Sequence, residues 1–103
     1  QTLLHHAVER DKSVAVQVLL DIRANVNVQD HRSQTPLHYA AQYQRAAIAK
    51  LLLDMNAKID VEDDNHRTPL HIAAEGGYTE VMRQLLRPDV AFEDSLFAQI
   101  RLL

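Results

Sequence analysis

A chain of 103 residues, 47% hydrophobic and 24% charged, has room for one domain with a core of its own and is too apolar to be disordered throughout. Its formal net charge of −3 has the wrong sign for a nucleic-acid electrostatic footprint, so no nucleic-acid partner is expected. The absence of cysteine excludes disulfides, thiolate zinc sites and cysteine nucleophiles, and fits an intracellular reducing compartment, cytoplasmic or nuclear.

Three heptapeptides set the register. Residues 2–8 read TLLHHAV, residues 35–41 TPLHYAA and residues 68–74 TPLHIAA, at a constant spacing of 33 residues. The same spacing carries Leu19-Leu20 onto Leu52-Leu53 and Leu85-Leu86, with no insertion. A fixed period of this length marks a stack of repeated units.

In chain order, Thr2 is the first N-cap, because its hydroxyl can accept from an orphan helix amide. A second helix follows with Ala15, Val18, Leu19 and Ile22 on one face, at spacings of three and four. Val26 and Val28 then alternate with Asn25 and Asn27, which predicts a short extended arm ending in a turn at Asp30–Ser33. Thr35 caps the next first helix, roughly 36–43. Pro36 occupies the first helical position, where a missing N–H costs nothing. Ala47, Ile48, Leu51, Leu52 and Met55 mark its partner helix, and Ile59 and Val61 the second arm, turning at Asp63–His66. Thr68-Pro69 opens a helix roughly 69–76; Val81, Met82, Leu85 and Leu86 follow, and Pro88 stops that helix. Neither helix of a unit can bury its apolar face alone, so stacking must supply the core. No apolar run approaches the roughly 20 residues of a bilayer-spanning helix, so no membrane insertion is expected.

A 33-residue unit carrying Thr-Pro-Leu-His-x-Ala-Ala resembles the ankyrin repeat. The resemblance spans residues 1–94 as repeats at about 1–31, 32–64 and 65–94. It implies an all-α solenoid of stacked helix-turn-helix units with short β-turn arms. It also implies a non-catalytic module that binds another protein through a concave face of arm tips and first helices. The alternative is a structural spacer or self-associating segment of a longer array, an idea prompted by Gln1 standing where a complete chain has Met.

Repeat 1 departs from the pattern with Leu3 in place of proline, and lacks an arm before it. The family's glycine before the second helix is Asp11, Gln44 and Gly77; the one ending it is Arg23, Asn56 and Asp89; the turn glycine is Ser33 and His66. Non-glycine residues held at positive φ cost about 1 kcal/mol each, so moderate stability is expected, with repeat 1 the first to fray. Residues 95–103 are expected to form a degenerate cap helix, N-capped by Asp94 or Ser95, or else a docking tail.

His5, His38 and His71 recur at the repeat period, and such periodic polar residues are expected to tie units together through backbone hydrogen bonds. His5-His6 is no metal site, because adjacent residues do not share a helix face. The run Asp60, Glu62, Asp63, Asp64 lacks calcium-loop order and reads as a solvated arm tip or as an acidic patch for a basic partner. No catalytic constellation can be assembled, and neither enzyme activity nor a cofactor is expected.

Positions that the unit's own packing leaves free are the candidates for recognition. On and beside the first helices these are His6, Arg10, Tyr39, Gln42, Tyr43, Arg45, Ile72, Glu75 and Tyr78. At the arm tips they are His31, Arg32, Gln34, Asp64, Asn65 and Arg67. Tyrosine and arginine dominate interface energetics, so Tyr39, Tyr43, Tyr78, Arg32 and Arg67 are the expected anchors, unless Tyr39 simply packs against its neighbours. Asn27, between Val26 and Val28, resembles the asparagine that an asparaginyl hydroxylase modifies in ankyrin repeats; Asp60 and Glu93 replace it in the other units.

Overall fold

The computed structural model describes residues 1–87. The expected stop at Pro88, the glycine-like position Asp89 and the cap helix or tail at 95–103 lie outside them. Six helices run in pairs: α1 (Leu3–Glu9) with α2 (Ser13–Asp21), α3 (Pro36–Gln42) with α4 (Ala46–Asp54), and α5 (Pro69–Gly76) with α6 (Thr79–Leu85). The first helices stack as α1, α3, α5 and the second helices as α2, α4, α6. No strand occurs among the described residues; the arms are extended segments closed by turns. The two equivalent turns are held by Ser33 N–H to Asp30 O at 3.0 Å and His66 N–H to Asp63 O at 2.9 Å.

Each first helix begins with the same capping box. Thr35 Oγ1 accepts the His38 amide at 3.3 Å, and the Thr35 amide donates to His38 Nδ1 at 3.0 Å. Thr2 with His5 and Thr68 with His71 repeat it. Because Nδ1 accepts, the proton of the neutral ring sits on Nε2, aimed at the next unit. His5 Nε2 donates to Gln34 O at 2.8 Å, and His38 Nε2 to Arg67 O at 2.9 Å. His5 and His38 therefore tie each unit to the next, as expected from the sequence, while the bonds that His71 makes among the described residues are those of its own capping box.

The core runs through the stack and is sealed by Leu4, Val8, Leu37, Ile48, Leu52, Val81 and Leu85. Ala40, Ala41 and Ala73 are fully buried, where a small side chain lets neighbouring helices approach. The second helices correct the sequence reading in one respect. Val16, Leu20, Ala49 and Leu53 are buried, whereas Val18, Ile22 and Met55 are exposed. A helix inside a stack buries two faces, one against the unit before and one against the unit after; α2 has only the second of these covered in this structure. A single apolar stripe therefore mislocated part of the core.

The glycine-poor sequence has the expected backbone consequence. Asp11, Gln44 and Gly77 share one left-handed position before the second helix, with φ of 58°, 59° and 68°. Arg23 and Asn56 share another at its end (67° and 66°), and Ser33 and His66 a third at the turn (62° and 60°). Arg23→Gly and Gln44→Gly should each stabilise the fold by roughly 0.5–1 kcal/mol, since glycine adopts this conformation without the Cβ penalty. For a domain of this size each should raise the melting temperature by a few degrees, about 4–8 °C per kcal/mol, measurable by thermal denaturation.

Burial lowers the pKa of His5 and His38 below 6.5, outweighing the carbonyl bonds and nearby carboxylates that favour the charged form. Protonating Nδ1 would also turn an acceptor into a donor facing the amide of the capping threonine. The unfolded chain thus takes up protons near pH 6.5 that the folded chain refuses, so stability is full above that pH and falls as pH drops toward the lowered folded values. The slope should approach about 1.4 kcal/mol per pH unit per histidine. Urea denaturation at pH 7.5, 6.5, 5.5 and 4.5 measures it; a flat profile would contradict the buried neutral imidazoles.

Candidate protein-interaction surface

The arm tips owe their shape to two equivalent aspartates. Asp30 Oδ1 accepts the amides of Arg32 at 2.9 Å and Gln34 at 3.0 Å, and Asp63 Oδ1 accepts those of Asn65 at 2.9 Å and Arg67 at 3.0 Å. A carboxylate that accepts several N–H groups is held ionised. Burial would raise the pKa of Asp30, but the Tyr39 hydroxyl and the two amides outweigh it and hold it at about 2. Asp63 is also lowered: burial opposes, and the Arg67 and Asn65 amides with the Gln34 side chain prevail. Neighbouring arms are laced at their tips by Asp64 N–H to Arg32 O at 3.0 Å and Ser33 Oγ to Asp64 Oδ1 at 2.7 Å.

Four of the candidate recognition residues are instead part of this framework. Tyr39 is 2% exposed. Its hydroxyl donates to Asp30 Oδ2 at 2.6 Å, and its ring lies 4.6 Å from that of His5. Burial and the Asp30 carboxylate push its pKa up to about 12. Gln34 is buried, with Nε2 donating to Asp63 Oδ2 at 3.1 Å. Ile72 is 7% exposed and belongs to the core. Arg45 is half-buried and reaches back one unit, donating to Glu9 O at 2.7 Å, with Asp11 at 4.0 Å. The acidic run divides in the same way: Asp63 is an internal brace, while Asp60, Glu62 and Asp64 are exposed.

Other candidates face outward. Tyr43 and Gln42 are exposed at the end of α3. A cavity of about 350 Å³ is lined by Gln42 together with Arg67, Ile72, Glu75, Gly76 and Tyr78. Arg67 spans its wall, 3.3 Å from Glu75 and 3.6 Å from Asp63. Gly76 stands where the earlier units have Arg10 and Tyr43. A Cβ there would come within 2.3 Å of the Tyr78 ring, so its absence lets that ring lie against the helix end. His31, Arg32, Asp64 and Asn65 are exposed at the arm tips. Asn27 is half-buried, and its Oδ1 accepts the Lys58 amide at 2.9 Å, joining the first arm to the second.

His6 and Arg10 belong to a different face. With Leu3, Ala7, Lys12, Ala15, Val18 and Leu19 they line an apolar hollow of about 470 Å³ on the outer side of α1 and α2. The sequence reading missed this face. Its signal was present in the register, because Ala15 and Leu19 are equivalent to Ile48 and Leu52, which the stack buries completely.

Among the described residues no helix is long and apolar enough to cross a membrane. No curated protein matches the chain significantly. The family model for ankyrin repeats matches residues 1–94 in three copies. Such repeats are generally protein–protein interaction modules and typically non-catalytic. With paired helices in a 33-residue register, capping boxes that tie unit to unit and a family match over most of its length, the chain belongs to the ankyrin repeat family.

Proposed function

We propose that the chain binds another protein, and catalyses nothing, through the concave strip formed by the exposed ends of α3 and α5 and the arm tips. The observation that carries this reading is a mixed polar and apolar cavity walled by Gln42, Arg67, Glu75 and Tyr78, with Tyr43 exposed at the end of the helix that carries Gln42. Tyrosine and arginine on a rigid support combine contact area with directed hydrogen bonds at low entropic cost. The support is rigid because Tyr39, Gln34, Asp30 and Asp63 are spent on bracing it. Arg32 and His31 extend the strip along the first arm tip, Asp64 and Asn65 along the second. The absence of cysteine suits a partner in the cytosol or nucleus.

Asn27 enters this proposal only as a modification site. Its amide oxygen is engaged with the Lys58 backbone, so a modifying enzyme would meet it with that bond opened.

The test is the affinity of a partner captured on the immobilised chain, remeasured with Arg32→Glu combined with Tyr43→Ala. Both side chains are exposed, and the double variant should retain its helical circular dichroism. Loss of an aromatic anchor and reversal of a rim charge should weaken binding by roughly 10- to 100-fold. Unchanged affinity in the folded double variant would remove the concave strip as the binding site.

A further inference from the structure

Units two and three meet differently from units one and two, and the difference leaves a space. Tyr39 closes the first junction: it is 2% exposed, with its ring 4.6 Å from that of His5 and 6.1 Å from that of Tyr43, and its hydroxyl on Asp30. Arg45 crosses the same junction to the Glu9 carbonyl. One period later three side chains change together. Ile72 stands in place of Tyr39, Gly76 in place of Tyr43 and Tyr78 in place of Arg45. Two aromatic rings are thereby lost from α5, and the ring of Tyr78 lies so close to Gly76 that an added Cβ would come within 2.3 Å of it. With no tyrosine hydroxyl to accept from, Asp63 takes Gln34 Nε2 at 3.1 Å and has Arg67 at 3.6 Å. What remains is the cavity of about 350 Å³ between Gln42, Arg67, Ile72, Glu75, Gly76 and Tyr78.

We propose that this cavity seats a tyrosine side chain of the partner, supplying the aromatic ring that the second junction lacks; the inference rests on the concave-strip reading for the source of that side chain. Arg67 and Glu75 pair across the wall at 3.3 Å, so neither sign of charge is welcome. A carboxylate would meet Glu75, and an ammonium or guanidinium would meet Arg67. An aliphatic side chain would strip water from these polar groups without bonding to any of them, a cost for each group left unpaired. A phenol meets both demands. Its ring packs on Ile72 and Tyr78 and takes the Arg67 guanidinium as a cation–π neighbour. Its hydroxyl can donate to the Glu75 carboxylate and accept from the Gln42 amide.

The probe is p-cresol, the tyrosine side chain alone, titrated into the nitrogen-15-labelled 103-residue chain and followed by NMR. Saturable shifts are expected at the amides of Gln42, Ile72, Glu75, Gly76 and Tyr78, with a Kd of roughly 1–30 mM, the range open to a ligand of so few atoms. The saturated analogue 4-methylcyclohexanol keeps the hydroxyl but not the aromatic ring, and should bind about 2- to 5-fold more weakly. Ile72→Tyr restores the residue of unit two and should abolish the shifts, with circular dichroism checking its fold; the two wild-type titrations decide the matter if that variant does not fold. No saturable shift up to about 100 mM, shifts centred elsewhere, equal binding of the saturated analogue, or undiminished binding to folded Ile72→Tyr would each overturn the proposal. The titration uses no partner protein, so it fails independently of the partner-affinity test with Arg32→Glu and Tyr43→Ala.

Discussion

Between Thr35 Oγ1 and Arg67 O, a buried imidazole makes the connection on which the stack depends. His38 uses one nitrogen to complete the cap of its own helix and the other to hold the carbonyl that leads into the next cap. The local and the long-range bond share one ring, so neither forms properly without the other. Buried backbone groups carry a cost of about 1–3 kcal/mol when left unpaired, and this ring satisfies an amide at one end and a carbonyl at the other. Apolar burial supplies the drive to stack, but it is tolerant of rotation and slip. The histidine bond fixes the register. It requires each unit to present its pre-cap carbonyl at one place, and the arm turn that delivers that carbonyl must be held rigid.

Asp30 and Asp63 supply the rigidity. Each gathers two amides of its own turn on one oxygen and uses the other for a cross-contact: the Tyr39 hydroxyl for Asp30, the Gln34 amide for Asp63. The turn also needs a left-handed residue, and here it is Ser33 or His66 rather than glycine. The aspartate and histidine bonds thus hold a backbone conformation that the side chains at those positions resist. Acid acts on this arrangement in two separated ranges. The histidines respond just below pH 6.5, while the aspartates, with folded values below 3.8, stay ionised until much lower pH.

The fold was legible in the sequence to the extent that it is periodic. Thr-Pro at the start of a helix, the histidine three residues after the threonine, and the left-handed positions all follow from local chemistry repeated at one spacing. The recognition surface was less legible, because exposure of a helix in a stack depends on neighbours on two sides. Tyr39 varies between units and Gln34 sits at an arm tip, so both looked free, yet each found a partner specific to its place: Asp30 across the same arm, Asp63 in the next. Variation between repeats therefore marks either recognition or a private packing solution, and only the identity of the facing residue separates them. Arg45 shows the same ambiguity, being a plausible anchor by residue type and an inter-unit tie by geometry.

The two faces of each unit follow from the same constraint. A globular core closes on itself, but a translationally repeated one cannot: every unit has a front and a back that are complementary to each other and not to themselves. Ala15 and Leu19 are apolar for the reason that Ile48 and Leu52 are, and Lys12 is basic where Arg45 is basic. The chemistry that makes the middle of the stack stable therefore runs in one direction along it, each unit's front made for the back of its neighbour. The concave strip differs in kind. Tyr43 has Arg10 and Gly76 at the equivalent positions, so the register places no demand on it, and its exposed side chain is open to a partner.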